Sequence, residues 1–273
     1  MSALEAIATQ AGSSGDADDT STWVLGPVAR GPWDAGSAHG GAPAALLARA
    51  AEALAAPGQR VSSLSYTFLG PVPVGEVELT ARVIKSGSRF AVVHATLAAG
   101  GRTAMELRAV LLRRGSVPLP PGIGSPWPEL PPPEGLEAIP SWFLPADATA
   151  FHPTAMEIRV IDGSLAEPAP KGRSAWLRLQ VPVVAGETPS GAQRAVAAAD
   201  FGNGLSTPVG FDGYLFVNCD LHVALHRDPA GEWIGLRSKT ELDRAGTGLT
   251  TTELHDAAGR FGTASQTLFV DTR

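Results

Sequence analysis

An alanine-rich helical segment followed by a train of alternating segments occurs twice in this chain, and this repeat narrows the possible folds more than any other feature. In the first copy a helix is expected over 42–55, with Leu47 and Leu54 on one face, Leu46 beside them, and Arg49 and Glu52 opposite. Alternation then predicts strands in SLSYTFLG (63–70) and EVELTARVI (76–84), and a hairpin in 90–112 that turns at Gly100-Gly101. In the second copy a helix over about 190–201 precedes LFVNCDLHVALHR (215–227), EWIGLRSKTEL (232–242), LTTTELHDAAGR (249–260) and TASQTLFV (263–270). Short matches keep their order: Pro73-Val74-Gly75-Glu76 with Pro229-Ala230-Gly231-Glu232, Gly101-Arg102 with Gly259-Arg260, and Val110-Leu111-Leu112 with Leu268-Phe269-Val270. A repeat of this length is a duplicated domain rather than a solenoid unit. Each copy reads as one helix packed on an antiparallel sheet, an α+β arrangement.

Between the copies lies SVPLPPGIGSPWPELPPPEG (116–135). Proline fixes φ and removes backbone donors, so this stretch is neither a helix nor a central strand and reads as a linker. The expected organisation is a mobile tail over 1–22, a first unit over 23–115, the linker, and a second unit over 136–273. The tail is expected because residues 11–22 are small, polar and acidic.

Composition excludes several function classes. A net charge of −6 argues against non-specific nucleic-acid binding. No apolar run approaches the ~18 residues of a membrane span, and the N-terminal residues lack the pattern of a secretory signal. The single cysteine, Cys219, forbids an internal disulfide and fits a cytoplasmic protein; on its alternating strand it reads as buried filler. His222 and His226 have the H-x-x-x-H spacing, but on a strand residues four apart lie ~13 Å apart, so no metal site is expected. The sequence contains no G-x-S-x-G, P-loop or G-x-G-x-x-G motif, and no cofactor is expected.

Three polar residues interrupt the second copy. Asp200 ends the run AVAAAD near a helix C-terminus, where a carboxylate opposes the dipole; it is an exposed helix-end residue or part of a site. Gln266 shares its strand face with Ala264, Leu268 and Val270, and a buried amide needs partners; it is a core amide or part of a site. Asn218 lies on the face opposite Val217, Cys219, Leu221, Val223 and Leu225. If that apolar face is the core, Asn218 reaches a site only at a strand end or a bulge. Ahead of the first helix stands His39-Gly40-Gly41-Ala42. The glycines would let a ligand approach the bare helix N-terminus, or simply turn the chain. His39 would line the same mouth, or is a turn histidine at the core edge.

The phrases AHGGAPAALLARA, FLGPVPVGEVELTARV, NCDLHVALHR, GEWIGL and GRFGTASQTLFV, in this order, resemble the TesB-like acyl-CoA thioesterases. The resemblance implies a double hotdog, acyl-CoA as the partner, and hydrolysis by a water held between an Asp, a Thr and a Gln. Asp200 matches the Asp and Gln266 the Gln, while Asn218 stands at the Thr position. It further implies that the thioester carbonyl meets the free N–H groups around Gly41 and Ala42, and that the sheet's outer face is covered in a homo-oligomer, a dimer or tetramer. Two alternatives stay open: a hotdog hydratase or dehydratase, which wants an Asp–His pair at the helix start, and a non-catalytic acyl-CoA-binding or assembly protein.

Overall fold

The computed structural model describes residues 5–13, 20–121, 123, 129–140, 144 and 148–273. The first half contains β1 (Ala8–Ser13), β2 (Thr20–Leu25), α1 (Gly41–Ala53), β3 (Gln59–Phe68), β4 (Gly75–Lys85), β5 (Phe90–Ala99) and β6 (Arg102–Arg113). The second contains β7 (Met156–Val160), β8 (Arg173–Leu179), α2 (Gly191–Ala199), α3 (Gly202–Ser206), β9 (Tyr214–Asn218), β10 (Asp220–Leu225), β11 (Trp233–Asp243), β12 (Thr247–Asp256) and β13 (Gly259–Thr272).

All named strands join one antiparallel sheet, ordered β1-β2-β4-β5-β6-β3-β10-β13-β12-β11-β8-β7, with β9 added to β13. The chain plan repeats inside it. The run β2-β4-β5-β6-β3 in one half has the same order as β8-β11-β12-β13-β10 in the other. The halves meet where β3 pairs β10, with Leu64 opposite Val223 and Ser65 opposite His222. Turn chemistry explains why the repeat was readable. Gly100 and Gly101 join β5 to β6 at φ +56° and +75°, and Gly259, at +100°, starts β13. Positive φ costs glycine nothing.

The helices lie against each other and against the sheet. Alanines on α1 and α2 keep both surfaces small, and the backbones come close: a Cβ on Gly41 would sit 2.7 Å from the Ala197 carbonyl oxygen. Leu46 and Leu47 of α1 are both fully buried. Each burial is worth ~1.5–3 kcal/mol. At Glu52 the face of α1 read as polar is covered by α2, while Arg49 forms an exposed ion pair with Glu187. Glu52 accepts hydrogen bonds from Ser190 Oγ at 2.7 Å and Gln193 Nε2 at 2.7 Å, and Ser190 also caps α2 by accepting from the Gln193 N–H. Burial pushes the Glu52 carboxyl above its ordinary value, against the opposing pull of those two donors.

Two local expectations are corrected. Parts of 1–22 are not tail: Ala8–Ser13 pairs with β2, while the Ile7 and Ala8 N–H groups donate to Pro182 and Val183 carbonyls of the second half. Ile7, fully buried, supplies the anchoring that the polar composition of 11–22 hid. Cys219 is exposed rather than buried filler, for a reason that also places Asn218.

Candidate active site

Asn218 pairs with Leu268 at the end of β9, and His222 pairs with Ser265 on β10. Four residue steps on one strand therefore face three on the other. This bulge shifts the side-chain parity by one. Leu221, Val223 and Leu225 point into the core, Cys219 turns outward, and Asn218 turns inward toward the helices. The conflict between an apolar core face and an inward Asn218 is resolved by one extra residue.

Asp200 caps the C-terminal end of α2 and is buried. Three side chains converge on it. Asn218 Nδ2 donates to Oδ1 at 2.8 Å. Gln266 Nε2 lies 3.5 Å from Oδ1 and 3.3 Å from the Asp200 backbone oxygen. His39 Nδ1 lies 2.9 Å from Oδ2. A carboxylate oxygen only accepts, so this contact places a proton on Nδ1. In that state Nδ1 cannot accept from the Gly41 N–H, which lies 3.2 Å away. The His39 ring is held between Phe201 and Phe151, with centroids at 4.4 and 5.0 Å.

The structure thus brings together His39, Asp200, Asn218 and Gln266. It separates the three residues that follow His39. Gly40 lines the cavity, and a Cβ there would lie 2.9 Å from both Asp200 Oδ2 and the Phe68 ring. Its N–H meets no acceptor among the described residues. Gly41 instead faces α2, and the Ala42 N–H is taken by the His39 carbonyl at 2.9 Å. Neither Gly41 nor Ala42 lines the cavity, so the expected approach at those two residues is corrected: the close contact that Gly41 permits is helix against helix. The Asp beside His39 comes from the other half of the chain, delivered by α2 as Asp200.

The site opens on a cavity of about 970 Å³. Its buried end is aliphatic, with Ile158, Leu165, Leu177 and Leu205. Its outer end is aromatic: Trp33, more than half exposed, stands 5.9 Å from Phe211, and the Arg273 guanidinium lies 5.0 Å from its ring. Arg113 and Arg114, at the end of β6, are absent from the wall, and Arg114 pairs with Asp228. Sequence reasoning missed Asn203, Phe151, Phe201 and His152. Asn203 sits in FGNGLS, which reads as a turn. The residues around Phe151 show no periodicity.

His152 lines the cavity beneath Phe201, and burial, with a smaller contribution from His39, pushes its imidazole down to about 4. The unfolded chain takes up this proton near pH 6.5 and the folded chain only near 4. Stability from this residue is therefore complete above pH 6.5 and falls between 6.5 and 4, by about 3 kcal/mol in all. Denaturant melts of wild type and His152→Leu across this range should show a shallower pH dependence in the variant. Parallel curves would assign the loss to other groups.

Residues 29–112 match the family model of the acyl-CoA thioesterase N-terminal domain, and residues 126–270 match that of the C-terminal domain. No curated protein matches the sequence. Among solved structures, a conserved hotdog-fold protein from Alicyclobacillus acidocaldarius is 16% identical, covers 96% of each chain and superposes with a TM-score of 0.74. A protein assigned as a thioesterase II from Thermobifida fusca is 20% identical over 99% of this chain and 96% of that one, TM-score 0.75. The tesB protein of Mycobacterium avium subsp. paratuberculosis is 18% identical over 92% of each chain, TM-score 0.65. At these identities the likeness shows the fold, a hotdog. With both domain models matched in order across most of its length, the chain belongs to the acyl-CoA thioesterase family.

Proposed function

We propose that this protein hydrolyses an acyl-CoA thioester to free acid and CoA, with Asp200 as general base. The observation that carries this reading is the convergence of Asn218, Gln266 and His39 on one buried carboxylate at the wall of a cavity large enough for an acyl chain. Asp200 takes a proton from water as that water attacks the thioester carbon. Asn218 and Gln266 hold the carboxylate from one side and His39 from the other. The acyl chain enters the aliphatic end, and the CoA portion leaves past Trp33 and Arg273. The thioester oxygen turns toward the N-terminus of α1, where the Gly40 N–H and the helix dipole face developing negative charge. A thiol leaving group of pKa ~8.5 departs without strong acid assistance.

In the same reading the halves, 23–115 and 136–273, are two hotdog units, each with its own helix, joined through 116–135 into a double hotdog. Val217 and Phe269, opposite each other and both nearly half exposed, support a homo-oligomer that covers this face. The His39–Asp200 contact gives the hydratase alternative an acid–base pair, but family membership favours hydrolysis.

Thiol release by Gln266→Ala tests the assignment. The account expects kcat to fall about 10- to 100-fold, with the circular dichroism spectrum unchanged, because the base loses a donor that fixes it. An unchanged kcat would remove Gln266 from the site.

A further inference from the structure

Resting on the hydrolase reading, we infer that Asn203 is a positioning residue that fixes which way both amides at Asp200 point. Its side-chain Nδ2 donates to Asn218 Oδ1, and its backbone N–H donates to Gln266 Oε1 at 3.1 Å. Each amide therefore has its oxygen occupied by Asn203 and its nitrogen turned to Asp200.

Chemistry forces the direction of this network from both ends. Asp200 Oδ1 can only accept, so the Asn218 atom facing it is the NH₂. The Asn218 oxygen then faces Asn203, whose contacting atom must be its own NH₂. On the other branch the Asn203 backbone N–H can only donate, so the Gln266 atom beside it is the oxygen and its NH₂ turns to Asp200. A rotated amide would present a lone pair to the carboxylate. Asn203 itself makes no hydrogen bond to Asp200 and acts through the two amides.

The position of Asn203 is itself secured. It is the second residue of α3, and Ser206 of that helix bonds the Gly202 carbonyl at 2.8 Å and Thr240 Oγ1 at 2.8 Å, with Thr240 bonded on to Thr250 at 2.7 Å. This chain of buried hydroxyls ties α3 to β11 and β12, the strand beside Gln266. A Cβ on Gly202 would come within 2.7 Å of Thr252 Oγ1 and 2.9 Å of Gln266 Oε1, so a larger residue there would push on the Gln266 amide.

Two substitutions test the inference. Asn203→Ala removes the donor, and Asn203→Asp keeps the shape while replacing the donor by an acceptor, so Asn218 turns its oxygen toward Asp200. Expected results are a fall in kcat of about 10-fold for Asn203→Ala and about 100-fold for Asn203→Asp, with KM for the alanine variant within about threefold of wild type. In an Asn218→Ala background Asn203→Ala should cost less than about twofold, since the Asn203 side chain then has no amide to orient and its backbone N–H to Gln266 is kept. A structural role alone would lower melting temperature and act additively. A second readout is independent of turnover: the Asn218 side-chain amide resonances should move on Asp200→Asn in otherwise wild-type protein, and should not respond to it when Asn203→Asp is present. Both Asn203 variants within about twofold of wild-type kcat, while Asp200→Asn is inactive, would overturn the clamp and leave the hydrolase standing. If wild type cleaves no thioester, the hydrolase reading fails, and the amide resonances alone decide the clamp: the same response in both backgrounds would overturn it.

Discussion

Asp200→Asn protein should fold normally and release thiol from acyl-CoA about 10²–10⁴-fold more slowly than wild type, with little change in KM. The fold survives because each contact has a substitute. The new amide oxygen can accept from Asn218 Nδ2 and Gln266 Nε2 in place of Oδ1. The new amide NH₂ then faces His39 Nδ1, which becomes an acceptor once its proton moves to Nε2. The loss is confined to chemistry: an amide does not take a proton from water at neutral pH. Steady-state thiol release alongside a thermal melt checks both halves. A melting temperature far below wild type would make Asp200 a structural residue, and undiminished release would place the base elsewhere.

Gly41→Ala should give the largest loss of stability of any single-methyl addition in α1. Alanine in a helix interior is ordinarily better than glycine by ~1 kcal/mol. Here the sign reverses, because the added Cβ meets the Ala197 carbonyl oxygen at 2.7 Å and the Phe151 ring at 3.2 Å. The first of these is backbone, so α1 and α2 have to separate. We expect a cost of about 2–3 kcal/mol, read as a fall in melting temperature of roughly 5–10 °C. The damage should extend to activity, since Asp200 ends α2 and His39 precedes α1. A variant as stable as wild type would show that this helix contact is loose.

Much of this was legible in the sequence, and the parts that were not share a physical cause. Alternation located β3 to β6 and β11 to β13, because each strand buries one face, and Gly100-Gly101 marked the β5–β6 turn, where both residues take positive φ. β7 and β8 escaped: the first is five residues long, and most of the second is buried on both faces, so neither displays a usable period. β1 escaped because its anchor, Ile7, stands outside the six-residue strand itself. At the site, Gln266 announced itself as a polar residue on an apolar face, and Asp200 as a carboxylate at the wrong end of a helix. Asn218 could be placed only once the bulge was seen, since parity on either side of it gives opposite answers. His39 and Asp200 come from different halves of the chain, and no local pattern encodes their meeting. Asn203 works partly through its backbone N–H, which every residue type except proline carries.

The most direct test is to incubate wild-type protein with acyl-CoAs from short to long chain and to quantify free thiol and free acid together. The account predicts both products in equal amounts from at least one chain length. Thiol release from none of them, with enoyl-CoA hydrated instead or acyl-CoA bound and returned intact, would contradict it.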